Sequence, residues 1–511
     1  TMPSTTYSST RGSPSQKSIS FSKVVMSGLA HDRGLFVPDE IPKIDMTEVE
    51  TWRNLSYADM STELLSKYIG SDEIPLSDLR SIVTIALSSF RVPEVTPVVK
   101  VGGHYVLELF HGPTFAFKDV ALQMLGGFFE YFLKKGMNGG RLAVLGATSG
   151  DTGSAAIAGL RGKEGVDCVI LYPKGCVSEI QERQMTTIMD PNIHCVAVEG
   201  TFDDCQDIVK ASFGDKEFRE EVKLGAVNSI NWARVLAQQT YYFWTYLRVT
   251  DDPSVPPGSL INFAVPTGNF GDILAGYYAK RMGLPVGELT VATNENDILH
   301  RFFTKGEYHR RNINKSISPS MDICVSSNFE RYLYHLLEED AGELKNLMTA
   351  FEDTGRLTIT GARLKKAKQD FSSARADTEE TLAVIKQYHA EHNYMLCPHS
   401  AVGVSALIQN NSVDNLSVAL ATAHEAKFPA AVSMAVPDLP TPPPQLAKLF
   451  SMKTRSQTCA CDAKAVQDFV KMRIAERVNG GKKKDLGSKL GALAVAVGVL
   501  AVLAVVLTRK R

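Results

Sequence analysis

At 511 residues the chain is long enough to bury large cores, and its length suggests two or three domains. Its 55 basic and 56 acidic residues leave a formal net charge of −1, which argues against nucleic acid as a partner. Eight cysteines without a C-x-x-C pair argue against a metal centre or a disulfide framework, and point to a reduced, intracellular chain.

Residues 1–98 read as a mixed, mostly helical N-terminal domain, turn-rich from Gly28 to Pro42 and helically periodic at about 47–68 and 77–90. From 99 to 440 apolar runs alternate with helical patterns. They are HYVLELF (104–110), LAVLGA (142–147), CVILYP (168–173), HCVAVE (194–199), INFAVP (261–266), LTVAT (289–293) and LSVALAT (416–422). The alternation predicts an α/β fold, its parallel strands covered by helices on both faces. Residues 328–395, charged and poor in strand signals, read as an inserted helical subdomain. Residues 441–489 read as a helical appendage and linker, entered through PDLPTPPPQ and left through GGKKKD.

The stretch 490–507, LGALAVAVGVLAVLAVVL, has no charged or strongly polar residue. As a helix its 18 residues would reach about 27 Å, close to the roughly 30 Å of a bilayer's hydrocarbon core. With lysines before it and Arg509, Lys510 and Arg511 after it, the expectation is a C-terminal tail anchor, with the rest of the chain facing the cytosol.

The chemistry centres on HGPTFAFKDVALQ (111–123), in which Lys118 is set among aromatic and aliphatic residues, with Asp119 beside it. An amine in apolar surroundings loses hydration, its pKa falls, and the free base becomes a nucleophile suited to a Schiff base. Two glycine-rich junctions, GATSGDTGSAA (146–156) and PTGNFGDIL (266–274), each follow an apolar strand and open a helix. Backbone N–H groups at such helix starts hold anions. Neither matches G-x-G-x-x-G or a nucleotide P-loop. The expectation is that both lie on one sheet, one holding a cofactor phosphate and the other an anionic group of the substrate. In NSINWAR (228–234), Asn228, Ser229, Asn231 and Arg234 are expected to converge within one or two helical turns, with Arg234 as an anion fork. Thr422, ending the last strand run, could present its hydroxyl to a pyridine nitrogen.

Taken together, these blocks resemble the threonine synthase family of pyridoxal-phosphate enzymes, the tryptophan-synthase-β-like or fold type II group. HGPTFAFKDVALQ, GATSGDTGSAA, NSINWAR, VPTGNFGDILAGYYAKRMGLP, ATNENDILHRFF and TAHEAKFP all occur in that family's order, after YSSTRG and SGLAHDRGLFVP near the start. SPSMDICVSSNFERYL (318–333) favours the longer fungal and bacterial-type subgroup, and the likeness spans about residues 7–430. The resemblance implies that Lys118 carries pyridoxal 5′-phosphate as a Schiff base. It implies too that Gly268, Asn269, Phe270 and Asp272 lie at the cofactor and Thr422 near its ring nitrogen. Ser149, Thr152, Asn228 and Arg234 become candidates for substrate contacts. The implied reaction is conversion of O-phospho-L-homoserine and water to L-threonine and phosphate. A related lyase that ends at a 2-oxoacid and ammonia would share every cofactor residue, so product analysis separates the two. Oligomeric state is not legible in the sequence.

Overall fold

The computed structural model describes residues 5–414 and 416–477. The alternating runs form two sheets rather than one. The larger has six strands in the order Ser372–Arg375, Val286–Thr293, Ile261–Pro266, Ser417–Ala421, His104–Glu108 and Val98–Val101, parallel except for the last, antiparallel pair. The smaller has five parallel strands in the order Gln457–Ala460, Ile193–Glu199, Val166–Pro173, Leu142–Ala147 and Leu224–Gly225. The expectation of one sheet carrying both glycine-rich turns is therefore corrected. One turn leaves the small sheet at Ala147, the other the large sheet at Pro266. Every residue of Val166–Pro173 is buried, as expected for a parallel strand with helices on both faces.

Two buried helices tie the sheets together. Lys118–Lys134 packs on Asp151–Leu160 at glycines from both sides: a Cβ on Gly126 would stand 2.0 Å from the Gly159 carbonyl oxygen. Only glycine allows these backbones so close, and the approach brings the two helix starts together. The second helix, Trp232–Val249, is buried at every position except Arg248, so its aromatic run serves as core all round.

In the N-terminal region, a short antiparallel pair, Tyr7–Ser9 with Phe36–Pro38, accompanies the helices Phe21–Ser27, Met46–Thr51, Tyr57–Leu65 and Leu76–Leu87. Residues 328–395 are more than an inserted helical unit. Ser372–Arg375 within them is the edge strand of the large sheet, and Arg356–Thr358 pairs with Glu307–His309. Residues 441–477 likewise add a strand, Gln457–Ala460, to the edge of the small sheet, followed by a helix over 463–477. Short strands amid polar sequence carry little periodic signal; they are strands because an open sheet edge was there to pair with. The apolar stretch 490–507 lies outside the described residues.

Candidate active site

Four of the large sheet's strands are parallel with His104–Glu108, and ligand sites in such sheets sit where strands end and helices begin. After His104–Glu108 the chain folds a short loop and starts the helix Lys118–Lys134. The Asp119 carboxylate closes that loop, accepting from the Thr114 backbone N–H at 2.8 Å and its hydroxyl at 2.7 Å. Burial pushes this carboxyl up to about 6, against those same hydrogen bonds. Asp119 thus shapes the approach to the helix. The Phe117 N–H donates to the Thr422 carbonyl at 2.8 Å, which sets Lys118 beside the end of Ser417–Ala421.

Lys118 is half-buried and makes no hydrogen bond or ion pair with any described residue; its amine lies 5.6 Å from the centroid of the Phe117 ring. Burial lowers it to about 8, with Arg234 and Lys427 pushing the same way and Asp151 opposing. Its place at a helix N-terminus further disfavours the cation. The expected uncharged setting is corrected: tertiary contacts bring three charged residues around the amine, and desolvation remains the largest influence.

The turn from the small sheet is built on Thr148, whose hydroxyl accepts from the Gly150 N–H at 2.9 Å and the Gly153 N–H at 2.8 Å. Gly150 has φ +142°, and a Cβ there would lie 2.4 Å from the Gln181 side chain, so the position requires glycine. Asp151 opens the helix, and its buried carboxylate takes the Lys427 ammonium at 2.6 Å, the Gln181 amide at 2.9 Å and the Ser320 hydroxyl at 3.3 Å. Burial would raise this carboxyl, but Lys427, Lys118 and His399 outweigh it and hold it well below the usual carboxylate range. Ser149 and Thr152 are half-buried, and their side chains make no hydrogen bond to any described residue. They remain available to a ligand.

The turn from the large sheet works differently. Phe270 adopts φ +62° and buries its ring among Phe303, Phe329, Tyr332 and Phe371. Asp272 turns inward as well, accepting from the hydroxyls of Tyr241 at 2.6 Å and Tyr242 at 3.0 Å. Burial pushes its carboxyl up to about 6 against those two bonds. Asn269 is exposed, and its side-chain oxygen accepts from Ser327. The backbone N–H groups of Gly268, Asn269 and Phe270 make no hydrogen bond to any described residue and stand at the start of Gly271–Met282. This is an anion cradle made of main chain, and the segment Ser326–Asn328 braces it through bonds to the carbonyls of Gly268 and Asn269.

NSINWAR does not converge as expected. Asn231 caps Trp232–Val249 and ties back to the Val25 carbonyl, Ser229 contacts Ser327, and Asn228 is exposed with no side-chain bond. The Asn231 side chain is spent on the cap and on the carbonyls of Val25 and Ala226, so it is not offered to the site. Arg234 alone reaches Lys118's surroundings. It is buried and donates to the Val227 carbonyl at 3.3 Å; among the described residues it has no carboxylate partner and its Nε has no hydrogen-bond partner. Burial lowers its guanidinium to about 10.

Three residues at the site carried no role in the sequence reading. Lys427 is fully buried, between Asp151 and the Thr114 carbonyl at 2.8 Å. Ser320 joins the two turns: its hydroxyl reaches Asp151, and its carbonyl would lie 3.2 Å from a Cβ on Gly268. His399 accepts the Ser320 N–H on Nε2 at 3.2 Å, so its proton sits on Nδ1, which has no partner among the described residues. Burial, with Lys118 and Lys427 adding to it, lowers this imidazole to about 4 and keeps it neutral. Lys427 and Ser320 lie inside the blocks TAHEAKFP and SPSMDICVSSNFERYL, but nothing in their spacing shows that they meet.

An amine held near neutrality, a main-chain anion cradle and the hydroxyl of Thr422, which makes no hydrogen bond to any described residue, suit an aldehyde, a phosphate and a pyridine ring on one small molecule. The residues present therefore fit pyridoxal phosphate. Residues 90–420 match the family described as "Pyridoxal-phosphate dependent enzyme", so fold and site define an enzyme of that class, fold type II. Residues 6–87 match "Threonine synthase N terminus" and residues 400–470 "Threonine synthase, C-terminal". The chain is 48% identical to threonine synthase of Schizosaccharomyces pombe over 84% of this chain and 89% of that one. It is 45% identical to that of Saccharomyces cerevisiae over 92% and 98%. A crystal structure of PLP-bound threonine synthase from Brucella melitensis superposes with a TM-score of 0.87 at 42% identity, over 92% of this chain and 99% of that one. The chain belongs to the threonine synthase family.

Proposed function

We infer that the protein is a threonine synthase, a pyridoxal-phosphate-dependent lyase that converts O-phospho-L-homoserine and water to L-threonine and phosphate. The observation that carries the reading is the contrast between its two clustered lysines. Lys427 is locked to Asp151, whereas Lys118 has no polar partner among the described residues and is lowered to about 8. We assign Lys118 as the Schiff-base residue and, when freed, as the proton carrier at the substrate Cα. The unpaired N–H groups of 268–270 would hold the cofactor phosphate, with Phe270 and Asp272 shaping that turn from the core side. Thr422 would meet the ring nitrogen; its hydroxyl cannot keep a proton there as a carboxylate would, which limits side reactions. When bound, the cofactor supplies the electron sink for carbanion chemistry. Arg234, Ser149 and Thr152 would orient the substrate's anionic groups, with Asn228 at the rim.

The deciding experiment takes a spectrum of the purified protein with pyridoxal phosphate, then adds O-phosphohomoserine and assays threonine and phosphate. A 2-oxoacid and ammonia in place of threonine would make the enzyme a phospho-lyase. Absence of a borohydride-trapped adduct on Lys118 would overturn the site. We also propose that the enzyme is cytoplasmic and held to an intracellular membrane by 490–507. That reading is supported by the segment's length and composition. Among the described residues no helix is long and apolar enough to cross a membrane, so the reading rests on the tail alone. Recovery of full-length protein wholly in the carbonate-extractable fraction would exclude an anchor.

A further inference from the structure

A cavity of about 230 Å³ lies at the ends of Val286–Thr293 and Ser372–Arg375, and no residue assigned above to the reaction lines it. That is below the roughly 300–1,000 Å³ of sites for drug-sized ligands, so the space suits a compact metabolite. Its charged lining is Glu295, Asp297, Arg301, Arg311 and Arg375, with Cys324 beside them. The two carboxylates are already engaged. Glu295 accepts from the Thr378 N–H at 3.1 Å, at the start of a helix. Asp297 takes Arg301 at 2.8 Å and lies 3.9 Å from Arg311. The guanidiniums are not all used in return. Arg301 is buried, and although Nη2 donates to the His309 carbonyl at 2.9 Å, Nη1 has no partner among the described residues. Arg375 is half-buried and its guanidinium makes no hydrogen bond or ion pair with any described residue. The exposed loop 310–315 contributes Arg311, Asn312 and Asn314 to the lining, and its Arg310 and Lys315 lie outside it. A partly enclosed site with cationic donors in excess concentrates anions.

One wall of the cavity is continuous with the candidate active site. Ile323 and Cys324 line it, and the neighbouring Asp322 is fixed by Asn294 at 2.8 Å, Asn296 at 2.9 Å and Ser316 at 2.6 Å. Two residues earlier, Ser320 touches Asp151 and His399. We propose that this cavity is an accessory site for a small oxyanion-bearing metabolite, a carboxylate or a phosphate ester. Arg311 and Arg375 bind it, and the segment 316–324 carries its presence to the active site.

Cys324 gives a local readout independent of cofactor and turnover, so the test stands apart from that of the proposed reaction. Full-length holoenzyme is alkylated with iodoacetamide, and the rates at Cys324 and at the exposed Cys176 are read by peptide mass spectrometry, with malonate and inorganic phosphate as separate probes. Saturable slowing at Cys324 but not Cys176 is expected with at least one probe, and which probe acts distinguishes carboxylate from phosphate. Arg311→Gln combined with Arg375→Gln should weaken that protection at least about tenfold, the loss of one charge-assisted contact. No slowing by either probe, or slowing that survives the double variant, overturns the site. If Cys324 reacts too slowly to time, calorimetric titration of malonate into both proteins decides in the same way. Protection by malonate with an unchanged KM for O-phosphohomoserine would overturn the coupling.

Discussion

The two glycine-rich turns occupy matching places, each at the end of a parallel strand where a helix begins, yet they present different surfaces. The turn at 148–153 shows side chains: Asp151 holds Lys427, while Ser149 and Thr152 are left free. The turn at 266–271 sends Phe270 into the core, as the adjoining helix does Asp272, and offers main-chain N–H groups. A main-chain cradle recognises an oxyanion whatever is attached to it, which suits a resident cofactor. Side chains discriminate between ligands, which suits a substrate. Lys118 lies beside Asp151 of the first turn, and Ser320 links Asp151 to Gly268 of the second.

The largest test of that arrangement removes the amine between the turns. Lys118→Ala should lower kcat by at least about 10³-fold, since proton transfer alone contributes ~10²–10⁴. It should also abolish the borohydride-stable adduct, as steady-state assays and mass spectrometry would show.

The next test compares the two aspartates by urea unfolding. Asp151→Asn strands the Lys427 charge and should destabilise by about 3–5 kcal/mol. Asp272→Asn, whose carboxylate faces two tyrosine hydroxyls and no cation, should lose about 1–3 kcal/mol. Equal losses would mean that the turns do not differ in charge matching.

Arg234→Gln removes the guanidinium that has no carboxylate partner. KM for O-phosphohomoserine should rise about ten- to a hundredfold, equivalent to about 1.5–3 kcal/mol for a charge-assisted contact. An unchanged KM would move substrate binding elsewhere.

Two glycine substitutions sharpen the geometry. Gly150→Ala, at φ +142° against Gln181, should cost about 1–3 kcal/mol of stability. Gly268→Ala has an ordinary φ and its Cβ would meet the Ser320 carbonyl at 3.2 Å, so it should affect cofactor retention more than melting.

The smallest effect is on pH. Lys118 is lowered to about 8, so the rate at which apoenzyme takes up pyridoxal phosphate should rise with pH and level off above about 8. Asp151 supports the ammonium form, so Asp151→Asn should move that inflection to lower pH. Stopped-flow absorbance across pH 6–10 would show both.

The strands at 142–147 and 261–266 were legible to the residue, because long apolar runs between turn signals have one stable home in a two-faced parallel sheet. The edge strands at 372–375 and 457–460 were not, because they are four residues long in polar sequence and became strands by pairing with an open sheet edge. Lys118 stood out locally as a lone cation in an apolar stretch. Lys427, Ser320 and His399 did not, since their part comes from contacts with residues up to 313 positions away.

By itself, then, the chain's local chemistry marked the long central strands, where the glycine turns fall, and a lysine in an apolar stretch, because each depends on residues within a few positions of one another; that lysine became the nucleophile candidate only beside the other blocks of the chain. Only the tertiary structure decided that the turns belong to separate sheets, that Asp151 takes one lysine and leaves the other unpaired, and that Arg234 enters the site without Asn231. Those outcomes depend on desolvation and on charges converging from distant segments, and no single stretch of sequence holds that information.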